Sequence, residues 1–140
     1  MQESPLDELN PILLIDASLA DCPLADALSL VDYNAVACSK QFSGGTPDPT
    51  IIQWLGLQNG IWITADEKAK RTHADEIQQA SINIVWVRRP KQGMNKKAQL
   101  LLLLWVIDPI LDEIMKSKDI AYFLAKYSGA RPKWERIYVK

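Results

Sequence analysis

Apolar positions along this chain fall into short unbroken runs that alternate with helically spaced ones. Pro11 to Ile15 is a continuous apolar stretch bounded by turn-formers and predicts a buried strand, and Tyr33 to Cys38 and Ile61 to Thr64 predict two further short apolar strands. Ser81 to Val87 alternates Ile82, Ile84 and Trp86 with Asn83, Val85 and Val87, and predicts a fourth. Between the first two runs, Leu24, Ala27, Leu28 and Val31 follow i, i+3, i+4, i+7 spacing, so Pro23 to Val31 reads as a helix with proline in its first turn. Thr46-Pro47-Asp48-Pro49 reads as a second helix start, with Asp48 as N-cap, Ile51, Ile52 and Leu55 on the apolar face and Asn59-Gly60 as the stop. Asp66 is placed to cap a short helix over Glu67 to Ala80.

In the last third, Ala98 to Ile107 is nearly all apolar and predicts a buried helix, and Asp108-Pro109 predicts a restart running to Lys116. Asp119 to Lys126 carries Ile120, Phe123 and Leu124 at helical spacing, with Gly129 as a stop, and predicts a further helix. Trp134 to Val139 alternates like an edge strand, and the polar first ten residues, with Pro5, read as a loose arm. Strand–helix–strand order favours parallel winding. The expectation is one α/β domain over residues 1–140, in three α/β/α layers around a mainly parallel sheet of four or five strands, with 98–140 mostly helical before the edge strand.

Length and composition narrow the class. A chain of 140 residues buries a core without staples. Cys22 and Cys38 have no C-x-x-C spacing, so buried thiols in a reducing cytoplasm are expected in place of a disulfide or zinc framework. The N-terminus lacks the basic and apolar regions of a signal peptide, and the run from Leu100 to Ile107 is too short to span a bilayer. The expected location is cytoplasmic. The net charge of −1 hides a split: residues 1–67 carry ten acids and one base, a balance of −9, and residues 68–140 carry fifteen bases and seven acids, a balance of +8. Such a split can signal nucleic-acid contact by one part of a chain; scattered solvated charge is the plainer reading.

Two of the predicted strands end in a carboxylate, at Leu14-Ile15-Asp16-Ala17-Ser18 and at Ile63-Thr64-Ala65-Asp66, where open α/β sheets place ligands. Helix capping is the competing role for each acid. With Asp48 between them, in Gly45-Thr46-Pro47-Asp48-Pro49-Thr50-Ile51-Ile52, these motifs resemble the PIN-like nuclease family, which includes VapC-type toxin ribonucleases. The motif region spans Ile12 to about Val87. Glu67, Lys68 and Ala69 stand where many members carry an aspartate and a phenylalanine, and Glu67, Asp75 and Glu76 are the candidates for a fourth acid.

The resemblance implies a PIN-like fold and a Mg²⁺- or Mn²⁺-dependent endoribonuclease, the toxin of a toxin–antitoxin pair, with RNA as substrate and a cognate antitoxin or a second copy as protein partner. The chemistry agrees. Phosphodiester hydrolysis needs an activated water and stabilised charge on the attacking and leaving oxygens, which a divalent cation supplies. Three adjacent carboxylates repel until a cation neutralises them. Asp16 and Asp66 are then the expected ligands and Asp48 a ligand or a positioner of water, with Ser18 and Thr64 hydrogen-bonding the carboxylates.

Lys68, Lys70 and Arg71 are candidates for substrate phosphates, as are Arg88 and Arg89, which with Lys91, Lys96 and Lys97 form the densest basic stretch. A solvated helix face would account equally for the first three. His73, the sole histidine, is a candidate general base, though a lone surface histidine is the simpler reading. The five tryptophans read as core or interface. No G-x-S-x-G, G-x-G-x-x-G or Walker loop is present. Two other classes fit the acids: a PIN-like domain of reduced activity that docks protein or RNA, and, more remotely, a receiver-type phosphoacceptor, which calls for an acidic pair where Ala17 follows Asp16. An exposed apolar surface around Trp105 and the last strand would suggest a dimer or an antitoxin groove.

Overall fold

Alternate residues of each strand point to opposite faces, and both faces of this sheet are apolar, so both must be covered. A computed structural model of the chain describes residues 10–117 and 119–137. Its elements, in order, are β1 (Leu13–Ile15), α1 (Asp21–Leu30), β2 (Ala35–Ala37), α2 (Cys38–Gln41), α3 (Asp48–Gln58), β3 (Ile61–Thr64), α4 (Lys68–Thr72), α5 (Ala74–Ala80), β4 (Asn83–Val87), α6 (Lys96–Lys116), β5 (Tyr122–Ser128) and β6 (Arg131–Ile137). The strands form one six-stranded sheet in the order β2-β1-β3-β4-β5-β6, parallel except for β6.

On one face, Leu13, Ile15, Ile61, Ile63, Val85, Val87 and Phe123 pack against Leu24 and Leu28 of α1 and Leu102, Leu103, Val106 and Ile110 of α6. On the other, Leu14, Trp62, Ile84, Trp86, Tyr122 and Leu124 pack against Ile51, Ile52 and Leu55 of α3 and Ile77 of α5. The fold is therefore the expected three-layer α/β/α arrangement with a mainly parallel sheet, though with six strands. Asn59 adopts a left-handed conformation (φ 52°) after α3, the predicted stop. At Gly60, a Cβ would lie 2.7 Å from Leu55 Cδ2 and 3.2 Å from the Ile12 carbonyl, so a larger residue would have to displace both where the chain enters β3.

Several elements differ from expectation. The residues expected as a helix over Asp119 to Lys126 contribute instead to β5. Ala121 to Ala125 are all buried, so the run is apolar on both faces, and its helical spacing carries no information about period. Gly129 (φ 64°) turns the β5–β6 hairpin and ends no helix. α6 runs unbroken through Pro109. The carbonyl that Pro109 leaves unpaired belongs to Trp105, an exposed residue, while Val106, Ile107 and Ile110 anchor the helix on either side. α1 begins two residues before Pro23, and α2 takes Cys38, the expected last residue of a strand, into a short helix. Of the loose arm expected over the first ten residues, all but Asn10 lie outside the described residues, as do the last two residues of the expected edge strand.

Candidate functional site

Ile15 pairs with Ile63 in the parallel β1–β3 ladder, so Asp16 and Asp66 leave the sheet at the same end of adjacent strands. The chain passes from β1 to β2 on one side, while β3 lies on the other. The β1/β3 boundary is thus the point where winding reverses, and open α/β sheets leave their ligand crevice there.

Thr64 joins the two acids. It is fully buried, and its hydroxyl donates to Asp16 Oδ2 (3.1 Å) while accepting from the Asp66 amide (3.1 Å). The Ser18 amide also donates to Asp16 Oδ2 (3.1 Å), and Ser18 Oγ accepts from the Ala65 amide (2.9 Å) and lies 3.4 Å from Thr64 Oγ1. The half-buried Asp16 carboxylate is therefore fixed by the Thr64 hydroxyl and the Ser18 amide, while the Ser18 hydroxyl serves the Ala65 amide. Asp66 itself is exposed, and its Oδ1 accepts from the Lys68 amide at 3.0 Å, which makes it a cap for α4 as well.

Asp48 differs from its expected role as N-cap. Pro47 holds the cap position, Asp48 is the first residue of α3, and no side chain caps that helix. The half-buried Asp48 carboxylate instead lies 3.5 Å from His73 Nε2. His73 is not the surface residue its isolation in sequence suggested: its side chain is 18% exposed, and among the described residues Nδ1 has no hydrogen-bond partner, with Glu76 Oε1 4.0 Å away. Burial raises the Asp48 carboxyl above its ordinary range; the positive His73 lowers it, and the charges of Asp16 and Asp66 raise it. Asp16 and Asp66 thus both act electrostatically on Asp48.

A cleft of about 230 Å³ opens beside Asp16 and Asp48, closed on its far side by Cys38 and the Ser43-Gly44-Gly45-Thr46 loop. Burial, then the Asp16 charge, pushes the Cys38 thiol up to about 11, which favours its protonated form at neutral pH. Behind it sits a residue the sequence did not flag. Asp21, buried at the start of α1, accepts from the Ser39 amide at 2.9 Å. Burial alone would raise its carboxyl, but hydrogen bonds from Ser39, Cys22 and its own amide hold it below the usual range. Larger grooves of about 550 Å³ beside α3 and α5 and about 680 Å³ beside the start of α6 contain none of the three acids.

The basic candidates divide. Arg89 Nη1 donates to the Ser18 carbonyl (3.0 Å), reaching from the end of β4 to the loop that holds Asp16. Arg88 Nε lies 3.3 Å from Glu67 Oε1, both well exposed at the rim. Lys68 and Arg71 are exposed on α4, where Lys70 also lies. On α6, Trp105 is 67% exposed, with Leu101 and Leu104 exposed beside it, whereas Trp134 of the last strand packs on the core.

Among the described residues, no three of His, Cys, Asp and Glu stand close enough to cage a metal ion directly. The donor chemistry nevertheless fits a hard cation. The groups are carboxylate oxygens, the neighbouring thiol is protonated, and Mg²⁺ keeps several waters while using only one or two carboxylates. No described helix is long and apolar enough to cross a membrane. Comparison with protein-family models, curated proteins and solved structures found no match to this chain.

Proposed function

We propose that this protein is a Mg²⁺- or Mn²⁺-dependent endoribonuclease, and by its resemblance to PIN-like nucleases the toxin of a toxin–antitoxin pair, with RNA as substrate and an antitoxin as partner. The observation that carries this reading is the pairing of Asp16 and Asp66 at the winding-reversal point, tied through the buried Thr64 hydroxyl and sharing its field with Asp48. Asp16 and Asp48 would hold the cation largely through water, with Asp66 at the open side. The bound ion would supply an acidified water and charge neutralisation at the scissile phosphate. Ser18 and Thr64 hold the Asp16 carboxylate in one orientation, His73 restrains Asp48, and Arg89 fixes the loop carrying Ser18.

A second reading, a docking module of reduced activity, is favoured by one observation: Asp66 Oδ1 is engaged by the Lys68 amide and no direct three-ligand cage stands among the described residues. Incubating a mixed RNA pool with wild type and Asp66→Asn, in Mn²⁺ and in EDTA, separates the two. The nuclease reading expects metal-dependent cleavage by wild type, reduced in the variant. RNA binding without cleavage in any metal supports docking. A small neighbouring gene for a DNA-binding antitoxin would support the toxin role.

A further inference from the structure

The strand pairing gathers basic residues from three parts of the chain onto one face. Val87 pairs with Ala125, and the Arg88 amide donates to the Ala125 carbonyl at 2.9 Å, so Arg88 stands next to Lys126 one step beyond the pair. Lys126 pairs with Lys133 across the β5–β6 hairpin, and Ser128 with Arg131. Alternation fixes the side. Arg88 follows Trp86, and Lys126 follows Leu124, on the face that packs against α3 and α5, the same face as Thr64. Arg88, Lys126 and Lys133 thus form a cross-strand row leading from the carboxylates to the far edge, with Arg131 beyond. From β3 to β6 the row crosses three strand spacings, roughly 14 Å.

The row is poorly neutralised. Arg88 meets Glu67 at 3.3 Å, but among the described residues neither Lys126 nor Lys133 has a carboxylate within 4.0 Å, although Glu135 lines the same small depression. Lysines directly opposite in an antiparallel pair repel each other and destabilise the hairpin. A ligand with evenly spaced negative charges removes that repulsion; a single anion would meet only part of the row. We infer that Arg88, Lys126 and Lys133 form a track for the phosphate backbone of a single-stranded RNA, carrying the strand away from the carboxylate cleft across β4, β5 and β6. The inference rests on the nuclease reading for the identity of the polyanion, and deepens it by assigning the path of the substrate.

The test is binding of a fluorescent 2′-O-methyl RNA 12-mer, which resists cleavage, in EDTA over a salt series. The proteins are wild type, Lys133→Gln, Lys126→Gln/Lys133→Gln and, as control, Lys116→Gln at the distant end of α6. The double variant should bind at least tenfold more weakly at low salt. Its log–log salt slope should fall by about 1.4, from two lost phosphate contacts at ~0.7 each. Lys133→Arg should bind as wild type does. Thermal midpoints should not fall in the lysine-to-glutamine variants, since they relieve the repulsion, so a binding loss would not come from unfolding. The inference is overturned if wild type does not bind, if the double variant binds with wild-type affinity and slope, if Lys116→Gln loses as much as Lys133→Gln, or if a polyglutamate peptide of equal charge binds as tightly with the same dependence. The outcomes also separate the two readings. Binding that depends on the lysines without RNA cleavage in Mn²⁺ sinks the nuclease and keeps the track. Cleavage with binding indifferent to the lysines does the reverse.

Discussion

The Thr64 hydroxyl donates to Asp16 Oδ2 at 3.1 Å and accepts the Asp66 amide at 3.1 Å, so one buried oxygen fixes a side chain from β1 and the backbone of the β3 exit. Thr64→Val keeps the shape of the residue and removes both bonds. With Asp16 deprived of a donor and the Asp66 amide of its acceptor, a loss of roughly 1–3 kcal/mol is expected in urea unfolding. Thr64→Ser, which restores the hydroxyl, should recover most of it. RNA cleavage should follow the same order.

Asp66 serves two roles that substitution can separate. Asn retains the oxygen that accepts from the Lys68 amide, so Asp66→Asn should leave stability within a few tenths of a kcal/mol. Asp66→Ala loses the cap and should cost about 1 kcal/mol. Both should lose metal-dependent activity. Comparing thermal midpoints and cleavage for the two variants tests this.

Much of this site was legible because it depends on local chemistry. An apolar strand that ends in Thr-x-Asp can be recognised without its neighbours, and Asp16, Ser18 and Thr64 meet there, whereas Asp66 joins them only through its backbone amide and turns its exposed carboxylate to the Lys68 amide. His73 was not placed, because its partner Asp48 lies 25 positions away at the start of α3 and no local pattern links them. The basic row was hidden for a different reason. Tyr122 to Ala125 is buried on both faces, so the helical reading of that stretch placed Lys126 on a helix and concealed its pairing with Lys133. Asp48 looked like a cap because Asp-Pro is a strong helix start. Shifting the cap by one residue, to Pro47, turned its carboxylate toward the site.

The Asp48 carboxyl is raised in the folded protein, chiefly by burial, with Asp16 and Asp66 adding to the effect. A raised carboxyl contributes stability below its unfolded value near 3.8 and loses it as pH rises through the folded value. The thermal midpoint of wild type minus that of Asp48→Asn should therefore decline as pH rises from about 4 toward neutrality. His73→Gln removes a charge that lowers the Asp48 carboxyl, and should move this decline to higher pH. A difference that is flat, or rises with pH, would contradict the assignment.

Asp21 has the opposite sign. Burial opposes its charge, but the Ser39, Cys22 and Asp21 hydrogen bonds hold the carboxyl below its unfolded value, so it stabilises the fold above about pH 4 and the contribution fades on acidification through the folded value. Asp21→Asn weakens the bond to the Ser39 amide, and should cost roughly 1.5–3 kcal/mol at neutral pH. The cost should shrink in acid. Chemical unfolding at two pH values measures both.

Asp16, held by Ser18 and Thr64, is the proposed ligand of a catalytic divalent cation. The most direct measurement is the thermal midpoint of wild type and Asp16→Asn through a Mn²⁺ titration. A ligand at a hundredfold its dissociation constant adds about 2.7 kcal/mol, a rise of several degrees for a domain of this size. Wild type should show a saturable rise, with Asp16→Asn folded but needing at least tenfold more Mn²⁺. Equal curves for the two proteins, or no Mn²⁺ response in wild type, would contradict the account.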